Sequence, residues 1–153
     1  MNFIKSFSLT SLAVLLGLLV AIAMIELDLV FGLKNFQSEM LAKLGWTFLA
    51  LGAALRFWAT HLFYQKQMRV IATRPQAQLL TTGPYKYSRN PLYLGLILIF
   101  AGAALLAGSV SALLLTLAIF IVLSFWIRVE ERQLAEAFGE QYAKFQSQIR
   151  RWL

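Results

Sequence analysis

The sequence predicts an all-α, polytopic membrane protein: a single domain over residues 1–153, with about four transmembrane helices and a C-terminal amphipathic helix. Three observations predict it. Hydrophobic residues make up 59% of the chain and charged residues 14%, against roughly 45–50% and about 25% in soluble domains. The apolar residues come in long blocks, and blocks of about 18 residues with few charges are read as membrane spans. Lys and Arg then gather on alternate connections between those blocks.

The first block covers about 9–25 and ends at Glu26 and Asp28. A secretory signal peptide is its rival reading, since Lys5 precedes the block and Ala21-Ile22-Ala23 resembles a small-residue cleavage site. The second span covers 44–64, the third 91–107 and the fourth 110–127. Read as one helix, 91–127 would run about 55 Å at 1.5 Å per residue. That is nearly twice the hydrocarbon thickness of about 30 Å, so the chain is expected to fold back at Gly108-Ser109.

Four spans put Lys5, Lys66, Arg69, Arg74, Lys86, Arg89, Arg128, Arg132, Lys144, Arg150 and Arg151 on one side, and only Lys34 and Lys43 on the other. The positive-inside rule therefore predicts both termini and the long 65–90 loop in the cytoplasm, in an inner or plasma membrane. The net charge of +7 reads as topology and contact with anionic lipid headgroups, not as a nucleic-acid surface, because no soluble basic domain is present. With no cysteine and one histidine, His61, disulfides, thiol nucleophiles and zinc sites built on Cys or His are excluded.

In the tail, 128–153, Leu134, Phe138, Tyr142, Phe145, Ile149 and Trp152 recur at steps of three and four. This predicts an amphipathic helix that lies on the membrane or covers the mouth of the bundle. The 65–90 loop is longer than most structureless connections, a mark of function or disorder. It closes with Gly83-Pro84, a turn, and Asn90-Pro91, a helix start with Asn as N-cap and Pro at the first helical position. Beside it, Arg89 and the unpaired N–H groups of the first turn form a carboxylate or phosphate site. The plainer reading is a stable junction with Arg89 on a lipid phosphate.

Glu130 and Glu131 leave the fourth span together. On a helix they diverge by about 100°, so one is expected to face a pocket and the other to pair outward. A solvated helix segment with Arg128 paired to Glu131 is the alternative. Arg56 lies about 12 Å inside the second span, where an ionised side chain needs a partner or water. It marks either a function or a span whose limits lie elsewhere. His61, Trp46, Trp58, Trp126 and Tyr64 suit the membrane boundary.

Gly83-Pro84-Tyr85, Arg89-Asn90-Pro91-Leu92-Tyr93-Leu94-Gly95, Glu130-Glu131, Leu134, Phe138-Gly139 and Tyr142 together resemble the signature of the isoprenylcysteine carboxyl methyltransferase and phospholipid methyltransferase group. The likeness covers about half the chain, and the order of the two segments around one helical hairpin makes it specific. It implies S-adenosylmethionine as cofactor, with Tyr85, Arg89, Asn90, Tyr93 and Glu130 as cofactor-binding residues. Glu131 lies at or near that pocket and, with Arg56 as the group that orients a polar substrate head, is a candidate catalytic residue. Asn90 stands where the family often has His; it can cap and hydrogen-bond but is no base near neutral pH. The implied substrate is a lipophilic small molecule or lipidated partner offering a carboxylate or an amine. A nicotinamide-dependent reductase on a related scaffold and a non-catalytic membrane partner protein are the rivals.

Overall fold

The computed structural model describes residues 15, 19, 22–33, 35–66, 68 and 78–153. Over these residues the chain is all-α. Residues 22–30 form helix α1, followed by α2 (Glu39–Gln65), a 3₁₀ turn (Gly83–Lys86), α3 (Pro91–Ala107), α4 (Val110–Phe138) and α5 (Glu140–Gln148). By length and composition α2 and α4 suffice to cross a membrane, and α3 is a shorter apolar helix of 17 residues. Most of the expected 9–25 span lies outside the described residues, as do Arg69 and Arg74 of the long loop.

α2 begins five residues before the expected 44, because Ser38 caps it by accepting the Leu41 N–H at 3.3 Å. Its closest partner is α3. Gly45 and Gly52 of α2 lie against Gly102 and Gly95 of α3, so close that a Cβ at Gly52 would stand 2.7 Å from the Gly95 carbonyl oxygen. A Cβ at Gly102 would stand 2.7 Å from the Gly45 oxygen. The seven-residue spacing repeats on both helices, with Ala59 continuing the α2 row at 0% exposure. Such a row keeps one face turned to an antiparallel neighbour. It is a small-residue seam of the kind that joins helices in lipid, where association rests on close van der Waals packing.

The α3–α4 reversal occurs at Gly108-Ser109, as expected. Gly108 takes φ 61 as the α3 cap, and a side chain there would meet the backbone of Gln37. Ser109 caps α4 by accepting the Ala112 N–H at 3.1 Å. Asp28, buried at the end of α1, accepts from the Ser109 hydroxyl and from the Ser111 N–H. A carboxylate is thereby set on the open N–H groups of α4, fastening α1 to the hairpin.

At the other end of the bundle the tail departs from the expected single amphipathic helix. α4 runs on through Arg128 to Phe138, a length of about 43 Å, and Gly139 at φ 50 breaks the chain before α5. The periodic side chains still share a face. Tyr142 and Phe145 are buried with Ala59, Leu62, Leu80 and Tyr85, and Leu134, Phe138 and Ile149 pack around them. This cap covers the end of the bundle.

Candidate functional site

Under the cap the start of α3 meets the acidic pair of α4. The 3₁₀ turn, opened by Gly83-Pro84, drives Tyr85 inward, where its ring packs edge-on to Phe63 at 6.2 Å between centroids. Burial, and then the nearby Glu130 carboxylate, push the Tyr85 hydroxyl well above the ordinary tyrosine range. Tyr142, 1% exposed, is pushed up to about 12, first by burial and then by Glu131. Both phenols are therefore neutral at physiological pH.

Arg89 and Glu131 meet at 3.3 Å, with side chains 11% and 7% exposed. The solvated-helix reading of the acidic pair is thus overturned. Glu131 is buried, and its second partner is not Arg128 but Arg151, whose Nη2 lies 2.6 Å from Oε2. Arg128 instead lies over the Phe125 ring. Two guanidinium groups offset the cost of burying one carboxylate, and the hydrogen bond to Glu131 holds the Arg151 guanidinium above its ordinary pKa. Arg89 keeps Nε and Nη1 buried with no hydrogen-bond partner among the described residues. Buried donors in that condition are uncommon and costly.

Neither acid turns outward, although the helical divergence suggested that one of the two would. Glu130 is half-buried and accepts the Tyr93 hydroxyl at 3.0 Å. Both acids therefore serve the interior, because α3 and the segment after α5 approach α4 from different sides. Asn90 occupies the N-cap of α3 but makes no side-chain cap, a correction to the expected role. Its Nδ2 donates to the Arg151 carbonyl at 3.3 Å. Ser88 donates to the same carbonyl at 3.2 Å, and the Arg89 N–H donates to the Arg150 carbonyl at 3.0 Å. Residues 149–152 are thus strapped across the entrance to α3.

Arg56 finds its partner on α3. Nη1 donates to the Leu92 carbonyl at 3.1 Å, and the absence of a side chain at Gly95 admits its stem, which would lie 3.1 Å from a Cβ there. The structure therefore brings Tyr85, Arg89, Asn90, Tyr93, Glu130 and Glu131 to one end of the bundle, with Arg56 one turn deeper beside Tyr93. His61 stands apart, stacked on Phe57 and bonded to Gln65. Arg151 and Ser88 escaped sequence reasoning. Arg151 carries no signal beyond a positive charge beside Arg150, and its pairing exists only once α5 has turned the chain back.

The phospholipid methyltransferase family model matches residues 40–141, from α2 into α5. The chain is 31% identical over 126 residues to the protein-S-isoprenylcysteine O-methyltransferase of Saccharomyces cerevisiae, covering 76% of this chain and 52% of that protein. It is 32% identical over 105 residues to the Schizosaccharomyces pombe protein of the same name, covering 67% and 44%. Among solved structures it is similar to a eukaryotic intramembrane Ras methyltransferase, isoprenylcysteine carboxyl methyltransferase, with a TM-score of 0.70 at 21% identity. That superposition covers 97% of this chain and 52% of the other. The chain spans about half the length of the curated relatives it matches.

Proposed function

Because the chain belongs to the phospholipid methyltransferase family, we propose that it is an integral membrane methyltransferase. In this reading it uses S-adenosylmethionine to methylate a lipophilic acceptor at the cytoplasmic face of the bilayer. One observation carries the reading: Arg89 is held at the entrance of α3 by Glu131, with two buried donors left over. Nε and Nη1 lie on opposite edges of the guanidinium, so a ligand carboxylate is held at one of them by a charge-assisted hydrogen bond, and on the Nε–Nη2 edge as a fork.

The residues fit such a cofactor. Arg89 would hold its carboxylate, and Glu130, oriented by Tyr93, would accept from its ammonium or ribose hydroxyls. Tyr85 lines the same end as a neutral wall. When bound, S-adenosylmethionine supplies an electrophilic methyl group on a sulfonium. The protein's part is to align the acceptor and to exclude water, which the buried cap over α2 and the 3₁₀ turn serves. Arg56, half-buried and tied to α3 by only one of its donors in this structure, orients the acceptor head. A guanidinium there favours an anionic head and disfavours an ammonium, so the acceptor read here is a carboxylate on a lipid-like chain. This agrees with relatives named for isoprenylcysteine O-methylation. A carboxylate nucleophile needs no base, which suits a site whose tyrosines are neutral and where Asn90 stands at the position that often holds a histidine in the resembled family.

The test is transfer of radiolabelled methyl from S-adenosylmethionine to prenylcysteine analogues and to extracted phospholipids, using protein in vesicles. Base-labile label in the prenylcysteine fraction is the expected result, lost in Arg89→Ala and Glu130→Ala. Label in phospholipid amines would reassign the acceptor. Stabilisation by NADPH, with no response to S-adenosylmethionine, would replace the reading with a reductase. Silence to both would leave a non-catalytic partner.

A further inference from the structure

Resting on that reading, we propose that Arg151 is a positioning residue that restrains Glu131, so that Arg89 keeps its Nε edge free for the cofactor carboxylate. Three observations converge on it. Glu131 has two cationic neighbours and treats them unequally: Arg151 takes both oxygens, with Nε 3.2 Å from each and Nη2 2.6 Å from Oε2. Arg89 reaches Oε1 through Nη2 alone, at 3.3 Å. Arg89 Nε and Nη1 are buried without hydrogen-bond partners among the described residues.

A carboxylate beside a lone arginine takes the paired, forked geometry. With Arg151 absent, Glu131, already at Nη2, would close on the Nε–Nη2 edge of Arg89 and occupy the Nε donor that a ligand carboxylate needs. The backbone of residues 149–152 makes the restraint effective. Its Arg150 and Arg151 carbonyls are held by the Arg89 N–H, the Ser88 hydroxyl and the Asn90 amide. The Trp152 ring anchors it further against Phe120 of α4, 5.3 Å between centroids. Asn90 thereby has a use that owes nothing to acid–base chemistry: it fixes the carbonyl of the residue that restrains Glu131.

The decisive experiment pairs Arg151→Met with Arg151→Met/Glu131→Gln, because an uncharged amide at 131 has little pull on Arg89. S-adenosylmethionine affinity is measured by calorimetry on protein in nanodiscs. Arg151→Met is expected to weaken binding about tenfold or more, Arg151→Lys less, and the double variant is expected to recover most of the loss. A merely structural Arg151 predicts the opposite, a double variant as weak as the single one or weaker, and that result overturns the proposal. So does an Arg151→Met protein that binds as the wild type does.

A second readout needs no cofactor. The Arg89 Nε–H proton resonance, assigned with Arg89→Lys, is expected to move downfield in Arg151→Met as Glu131 engages it, and to return in the double variant. An unmoved resonance overturns the proposal even if affinity falls. If wild-type protein does not bind S-adenosylmethionine, the functional reading fails, and the resonance still decides whether Arg151 restrains Glu131.

Discussion

Along the α2–α3 seam, Gly45 and Gly52 bring two backbones into contact with Gly102 and Gly95. In the cap, large side chains (Tyr142, Phe145, Leu62 and Tyr85) close over one another. The seam lies among apolar helices whose outer faces expose Trp46, Phe57, Leu117 and Val122, so lipid can solvate any apolar group there. Burial against a neighbour then adds little, and contact area at short range decides the pairing. The cap borders water, where removing aromatic surface is favourable by about 25 cal/mol per Å². One small chain thus uses glycine where the solvent is lipid and aromatics where it is water, and the ion pairs of the site sit at the junction.

Substitutions test that contrast. The largest effect is expected from Gly52→Leu, because its first carbon already meets the Gly95 oxygen and the Ile99 N–H, both backbone. The cost should exceed the usual range of about 1–3 kcal/mol for overpacking, read as loss of folded protein from the membrane fraction. A well-folded Gly52→Leu would break the seam account. Phe145→Ala in the cap should destabilise by about 3–4 kcal/mol, whereas the lipid-facing Phe57→Ala, 73% exposed, should stay within about 0.5 kcal/mol. Equal losses at the two phenylalanines would erase the distinction between the regions.

Glu131→Ala leaves Arg89 and Arg151 without a counter-charge. The cost of breaking a buried pair, about 3–5 kcal/mol, is discounted here to about 2 kcal/mol because Arg151 is 31% exposed and water screens it. Methyl transfer should fall with it. Tyr93→Phe removes one charge-assisted hydrogen bond and should cost about 1–2 kcal/mol in thermal unfolding, with a larger rise in cofactor KM than fall in kcat.

The smallest change at neutral pH is expected from Asp28→Asn, which keeps an acceptor for the Ser111 N–H. The Ser109 and Ser111 contacts hold the Asp28 carboxyl below its ordinary value near 3.8. Its stabilising contribution is therefore present above that value and lost as pH falls through the lower folded one. Wild type should lose stability steeply in that acid window and the variant should not; parallel acid limbs would remove Asp28 from the account.

Much of this was legible beforehand. The α3 boundaries, the reversal at Gly108-Ser109 and the pairing of the two motif segments followed from apolar block length, turn chemistry and motif order. The seven-residue glycine rows were also present in the sequence. They escape a reading tuned to hydrophobic periodicity, because in an all-apolar helix the informative variable is size. The single-helix reading of the tail failed at Gly139, since the side-chain pattern survives a kink that keeps both helices facing one core.

By itself the sequence determined what acts along the chain: which blocks prefer lipid, where the helices stop, and which residues can carry charge. Only the tertiary structure decided what acts across it. Glu131 faces Arg151 rather than Arg128, Asn90 holds a carbonyl twenty residues past that acid instead of its own helix, and Arg56 finds Leu92 through the gap at Gly95. Such pairings depend on distances set when distant segments pack, and a short-range pattern carries no record of them.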